Sequence, residues 1–312
     1  MGLERTVSSK KLSRRMFVHG GSLFLAGFGT VLGESMVTQS VRGQDGQSTD
    51  RKPTSRLGLV TDMHYADKKA SGSRHYRDSI DKLAVAREKL DLAQLDGVVE
   101  LGDFIDAADS VDVELGYLRK INSEFKRLSQ RTYYVLGNHC VHTLTKKEFL
   151  GAVGQNSTYF SFDMSGAHFI VLDACFRSDG VEYGRKNFDW TDPNISQSQL
   201  TFLEKDLSQT KAPTVVFVHQ RLDVSNAYGI KNGKEVRAIL ENSGKVTAVF
   251  QGHSHENEHQ EINGIHYCTL AAMVEGPGSE NTAFSTLEVF SDGSLKVSGY
   301  AKQSSYEWKM KV

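Results

Sequence analysis

Between Leu57 and His255, five short apolar runs each end at side chains able to hold a metal. Leu57–Val60 leads to Asp62 and His64, and Val98–Leu101 to Asp103 and Asp106. Tyr133–Leu136 leads to Asn138 and His139, Val215–Val218 to His219, and Val246–Phe250 to His253 and His255. Short runs of this kind, bounded by glycine and polar residues, read as buried strands. Between them lie stretches with helical spacing: Ile80, Leu83, Ala84 and Leu90; Leu118, Ile121, Phe125 and Leu128; and Leu200, Leu203 and Leu207 behind a Ser196 cap. Strands alternating with helices define an α/β fold. In such folds the carboxyl ends of parallel strands share one edge, so side chains remote in sequence can converge there.

Further strands are expected at Tyr159–Phe162 and His168–Leu172, and an antiparallel tail at Ile265–Leu270, Phe284–Phe290 and Leu295–Tyr300, with Asp292-Gly293 turning the last pair as a hairpin. Taken alone, Asp-x-His is a common turn, Gly-Asp a helix cap and Gly-Asn a turn. Their ordered recurrence behind apolar runs is what points to a site. Carboxylates, an amide and imidazoles without thiolates suit Mn, Fe or Zn. The three cysteines, Cys140, Cys175 and Cys268, form no Cys-x-x-Cys pair, so neither a disulfide framework nor a thiolate zinc site is indicated. Thirty-seven basic against 38 acidic side chains leave no basic field for nucleic acid, and none is expected as a partner.

The set Asp62-x-His64, Gly102-Asp103-x-x-Asp106, Gly137-Asn138-His139, His219 and Gly252-His253-x-His255 resembles the calcineurin-like metallophosphoesterase superfamily. The resemblance implies a two-sheet β-sandwich flanked by helices, a four-layer αββα arrangement over residues 56–312, with a dinuclear centre at the strand ends. It implies one metal held by Asp62, His64, Asp103 and His255, and a second by Asp103, Asn138, His219 and His253, with Asp103 bridging. Such a pair activates a bridging hydroxide against phosphorus and grips the phosphoryl oxygens. His139 corresponds to the family's non-ligand histidine and is expected to be the general acid. The family usually continues Gly-Asn-His with Asp or Glu, whereas this chain has Cys140. Either another carboxylate orients His139 in space, or the leaving group, as in a phosphoanhydride, needs little protonation.

A narrower similarity lies outside the ligands. Asp62-Met63-His64-Tyr65-Ala66-Asp67, Arg74-His75-Tyr76-Arg77-Asp78-Ser79, Met273-Val274-Glu275-Gly276 and Thr282-Ala283-Phe284 resemble the manganese-dependent ADP-ribose/CDP-alcohol diphosphatases, which typically carry Gln where this chain has His64. A dinuclear phosphohydrolase acting on a small, nucleotide-like phosphoester or phosphoanhydride is therefore expected. A general phosphomonoesterase and a non-catalytic, metal-dependent phosphate-binding protein are the alternatives. Arg74 and Arg77 are candidates for bidentate phosphate contacts, and Tyr65 or Tyr76 for stacking, although Tyr76 and Arg77 equally suit the start of a helix. Asp106 and Cys140 are placed beside the centre without ligating it. Phe188, Trp190, Gln220 and Arg221 are further candidates to line the pocket.

At the amino end, Ser13-Arg14-Arg15-Met16-Phe17-Val18 precedes a weakly apolar run from Phe17 to Leu32 and resembles a twin-arginine export signal. Residues 1–43 are read as that signal, cut before Gln44, and 44–55 as a flexible polar leader. Cleavage would remove six basic and two acidic side chains and leave a formal charge of about −5. The twin-arginine machinery would then be a partner, and the product periplasmic or extracellular; an uncut membrane anchor is the alternative.

Overall fold

The computed structural model describes residues 51–91 and 93–309; the expected signal, 1–43, and residues 44–50 of the expected leader lie outside them. In chain order the elements are β1 (Ser55–Val60), α1 (Ser79–Asp91), β2 (Gly97–Glu100), α2 (Val111–Phe125), β3 (Thr132–Tyr134), α3 (Lys146–Val153), β4 (Phe160–Met164) and β5 (Ala167–Val171). They continue as α4 (Gln197–Gln209), β6 (Thr214–Phe217), α5 (Gly233–Ser243), β7 (Val246–Gln251), β8 (Glu258–Ile262), β9 (Ile265–Thr269), β10 (Ala283–Val289), β11 (Leu295–Ala301) and β12 (Tyr306–Trp308).

Two mixed six-stranded sheets result, ordered β12-β11-β10-β1-β2-β3 and β4-β5-β6-β7-β9-β8. Within them β1, β2 and β3 run parallel to one another, as do β5, β6, β7 and β9. Period-two alternation decides which face each side chain joins. Leu57, Leu59, Val99 and Leu101 of the first sheet meet Phe169, Val171, Val215, Phe217 and Phe250 of the second in a core between the sheets. The intervening residues point the other way. Val60 and Val98 pack under Leu83 and Leu90 of α1, Leu118 and Ile121 of α2, and Phe149 of α3. On the far side Ile170, Val216 and Val249 meet Leu200 and Leu203 of α4 and Val236 and Leu240 of α5. Helix, sheet, sheet and helix thus form the expected four layers.

Some local expectations change. The strand begins one residue before Arg56: Thr54 N donates to Val289 O at 2.8 Å, and the buried Ser55 hydroxyl donates to Met164 O at 2.8 Å. The last residues of the expected leader are thereby tied to the domain. Ser196 precedes α4, but its hydroxyl meets the Ser198 and Gln199 side chains rather than a helix N–H. The carboxy-terminal strands do not form one antiparallel set, because β9 runs parallel to β7 in the other sheet from β10 and β11.

Candidate metal centre

Each predicted metal ligand sits on the turn that leaves a parallel strand, and several of these turns are unusual in conformation. Asp62, His64, Asp103, His253 and His255 all have positive φ, between 42° and 73°. Non-glycine residues enter that region at a cost of roughly 1–2 kcal/mol each, and such conformations persist only where surroundings fix them. Backbone bonds across neighbouring turns do so: Asp62 N donates to Gly102 O at 2.9 Å, His64 N to Asp103 O at 2.8 Å, and Gly252 N to His219 O at 3.0 Å. The loop after β9 closes the ring, with Met273 N donating to Thr61 O at 3.1 Å and Val274 N to Asp62 O at 3.0 Å. Two motif glycines are dictated by close approach. A Cβ at Gly102, where φ is 107°, would overlap the His219 imidazole, and one at Gly137 would overlap Asp103 N and Oδ1.

Two buried clusters meet at Asp103. In one, His255 Nε2 lies 3.5 Å and His64 Nε2 3.8 Å from Asp62 Oδ1, with the two imidazole nitrogens 3.1 Å apart. In the other, Asp103 Oδ2 lies 3.1 Å from His219 Nε2, and His253 completes the group. The same Asp103 oxygen is 3.5 Å from His64 Nε2, so Asp103 stands between the clusters. The outer nitrogens are already committed: His219 Nδ1 to Leu101 O at 2.9 Å and His255 Nδ1 to Glu275 Oε1 at 2.6 Å. With Nδ1 donating there, Nε2 of each presents a lone pair to the centre, the orientation of a metal-binding histidine. Asp62 Oδ1, Asn138 Oδ1 and His253 Nε2 are buried and have no hydrogen-bond partner. Buried polar atoms are normally satisfied. Lone pairs directed at carboxylates, beside unpartnered donors of the same kinds, fit cations.

Electrostatics agree with that fit. Burial works against the carboxylates, but the surrounding histidines hold Asp62 below and Asp103 well below the ordinary range. Burial lowers His64 to about 4 and His253 to about 3, leaving both neutral. For His219 burial is outweighed by Asp103 and Asp62, which push it up to about 9 and mark how strongly the two carboxylates draw positive charge to this point. Ionised carboxylates and neutral imidazoles are the forms that ligate. Beneath Gly102, burial raises the Glu100 carboxyl well above its usual value; Oε1 accepts from Gly102 N at 3.0 Å.

The carboxylate missing at position 140 is supplied by Asp106. Its Oδ1 lies 2.7 Å from His139 Nδ1, and its Oδ2 accepts from Lys68 Nζ at 3.0 Å. Burial disfavours a charged His139, but Asp103 and Asp106 outweigh it and raise its pKa. Cys140 is fully buried, its Sγ accepting from Phe104 N at 3.4 Å, and burial pushes the thiol well above its normal range. It packs the turn rather than orienting the histidine.

Residues 55–257 match the model of the calcineurin-like phosphoesterase family. The chain belongs to that family. It is accordingly a phosphoester hydrolase, and its metal-ligand clusters fit the divalent cations the family implies. This phosphoesterase is 26% identical to a manganese-dependent ADP-ribose/CDP-alcohol diphosphatase of Oryza sativa, over 80% of this chain and 92% of that one. It is 24% identical to the protein of the same name in Arabidopsis thaliana, over 84% and 99%. Among solved structures, a dimetal phosphatase from Danio rerio superposes with a TM-score of 0.72 at 19% identity, covering 83% of this chain and all of the other.

Above the clusters of the phosphoesterase opens a cleft of about 440 Å³, lined by Arg74, Asn138, His139, His142, Phe188, Trp190, Tyr228, His253 and His255 among others. Arg74 reaches it; Arg77 does not. The Arg77 side chain is 55% exposed and bonds Asp67 at 2.6 Å, which removes it from phosphate contact. Tyr65 is buried against Tyr117, and Tyr76 packs in a small core with Val274, so neither is free to stack on a ligand. Arg221 forks onto Asp223 at 2.8 and 3.0 Å and also pairs with Glu258, while Gln220 is buried beside Cys175. Sequence reasoning missed Glu275, Lys68 and Tyr228. Glu275 lies within the stretch resembling the diphosphatases, but nothing in its neighbours marks it as the partner of His255. Tyr228 follows no apolar run and carries no signal.

Proposed function

We propose that this phosphoesterase hydrolyses the diphosphate bond of a small nucleotide-like molecule using two divalent cations. Asp62, His64 and His255 would hold one cation, and Asn138, His219 and His253 the other, with Asp103 shared between them. The observation that carries this reading is the junction at Asp103, whose Oδ2 lies 3.1 Å from His219 Nε2 and 3.5 Å from His64 Nε2. When bound, such a pair supplies Lewis acidity, lowering the pKa of water and neutralising phosphoryl charge. Arg74, facing the same cleft, binds and orients the phosphate. His139, aimed by Asp106, carries the proton that the leaving oxygen takes from Nε2; Asp106 balances the imidazolium before the transfer and keeps the Nδ1–H hydrogen bond of the neutral ring after it. The names of the rice and Arabidopsis relatives support manganese and a diphosphate substrate.

We propose in addition that residues 1–43 direct export through the twin-arginine route, on the strength of Arg14-Arg15 before the apolar run. A reporter fused to these residues should lose export when both arginines become lysine; unchanged export refutes the route.

The test of the reaction is a panel of ADP-ribose, CDP-choline and p-nitrophenyl phosphate offered to the manganese-loaded protein and to His139→Ala. Preferred cleavage of the diphosphates, with a variant that keeps its metal and loses rate, is expected. Preference for the monoester makes it a phosphomonoesterase. Metal-loaded protein inert on all three is a binding protein.

A further inference from the structure

Four large hydrophobic side chains of the described residues stand exposed, and two of them meet at the mouth of the cleft. Trp190 is 43% and Tyr228 38% exposed. They come from separate loops, one between β5 and α4, the other between β6 and α5. Their ring centroids are 5.6 Å apart at 50°, and each also faces the His253 imidazole, at 6.2 and 5.7 Å. Large aromatic rings ordinarily bury their faces, so two left half in water beside a reaction centre call for a ligand.

Both rings are carried on pinned turns. Next to Trp190, Asp189 Oδ1 accepts from Thr191 N at 2.9 Å and Thr191 Oγ1 at 2.7 Å, while Asp189 O accepts from Tyr183 OH at 2.7 Å. Tyr228 N donates to Asn226 Oδ1 at 3.0 Å, and Tyr228 O accepts from Arg221 N at 3.2 Å. Rings fixed before a ligand arrives lose little freedom on binding.

We infer that Trp190 and Tyr228 form a stacking platform for the nucleobase of the substrate. The proposal rests on the diphosphate reading for the position of the scissile bond: phosphates over the clusters, base outward on the rings beside His253. Stacking uses the π-face that every base has, so purines and pyrimidines are both accepted and ring-free analogues are disfavoured.

The chain has only two tryptophans, and Trp308 is buried with its ring stacked on His266 at 4.8 Å. Trp190 is therefore a built-in probe. With the metal-loaded full chain, AMP and CMP should quench tryptophan fluorescence and ribose 5-phosphate should not. By calorimetry, Trp190→Ala should weaken AMP and CMP roughly tenfold or more, leave ribose 5-phosphate unchanged, and be rescued by Trp190→Phe. AMP binding no tighter than ribose 5-phosphate, no detectable AMP binding, or a Trp190→Ala protein that keeps its preference overturns the platform. Failure of the diphosphatase reading looks different: AMP still stacks, but no diphosphate is cleaved.

Discussion

Asp106→Asn isolates the orientation of His139 from everything else at the centre. The carboxylate is 4% exposed and reaches His139 Nδ1 at 2.7 Å and Lys68 Nζ at 3.0 Å. Burial opposes its charge, yet the bond from His139 holds it below the ordinary range, so ionised Asp106 belongs to the ground state. Asparagine keeps the volume but loses the charge, and with Lys68 on the far side its amide oxygen cannot serve both cations equally well. A hydrogen bond to a charged partner contributes about 1.5–3 kcal/mol. At about 1.4 kcal/mol per decade, kcat should fall roughly 10- to 150-fold on substrates whose leaving oxygen must be protonated. The loss should be far smaller on p-nitrophenyl esters, whose leaving group departs as an anion. The assay is kcat across esters of graded leaving-group pKa, with metal content measured on the same preparations. A fully metallated variant that cleaves poor leaving groups at the wild-type rate refutes the orientation argument. Equal losses on good and poor leaving groups refute proton delivery.

Other perturbations have equally definite outcomes. Gly137→Ala should abolish metal binding and lower the Tm, because its Cβ meets Asp103 backbone that cannot yield; a metallated, stable variant contradicts this. Lys82→Met should cost about 3 kcal/mol in urea unfolding and weaken metal affinity. Lys82 is fully buried and donates to Met273 O, Glu275 O and Gly276 O at 2.9, 3.1 and 2.7 Å, fixing the loop whose Glu275 holds His255. Glu148, bonded first by Arg185 and then by Thr145 N, has its carboxyl lowered to about 2 from an ordinary 4.5. A depressed acid stabilises above its unfolded pKa and loses that contribution as pH falls through its folded one. The Tm gap between wild type and Glu148→Gln should thus be constant near neutrality, shrink below about pH 4.5 and close towards pH 2. A gap at pH 3 equal to that at pH 7 would contradict it.

The strands that carry the site were legible because each is a buried apolar run with its chemistry at the carboxyl end. Parallel pairing of β1 to β3 and of β5 to β7 then leaves little choice about where Asp62, Asp103, His219 and His255 go. The elements that escaped notice lack such a pattern. Strand β8, Glu-His-Gln-Glu-Ile, is a polar sheet edge, and β12 has three residues. Helix α3 did offer a signal, the Thr145–Glu148 capping box. Within the site, the role of Asp106 depended on a distance across two loops, as did the partnership of Glu275 with His255. Arg77 looked equivalent to Arg74 from spacing alone; only the ion pair with Asp67 separates them.

The most direct measurement is anomalous scattering from crystals of the full chain grown with manganese. Two peaks are expected, one among Asp62, His64 and His255 and one among Asn138, His219 and His253, with Asp103 touching both. A single peak, peaks elsewhere, or manganese-soaked crystals with none would contradict the two-cation centre.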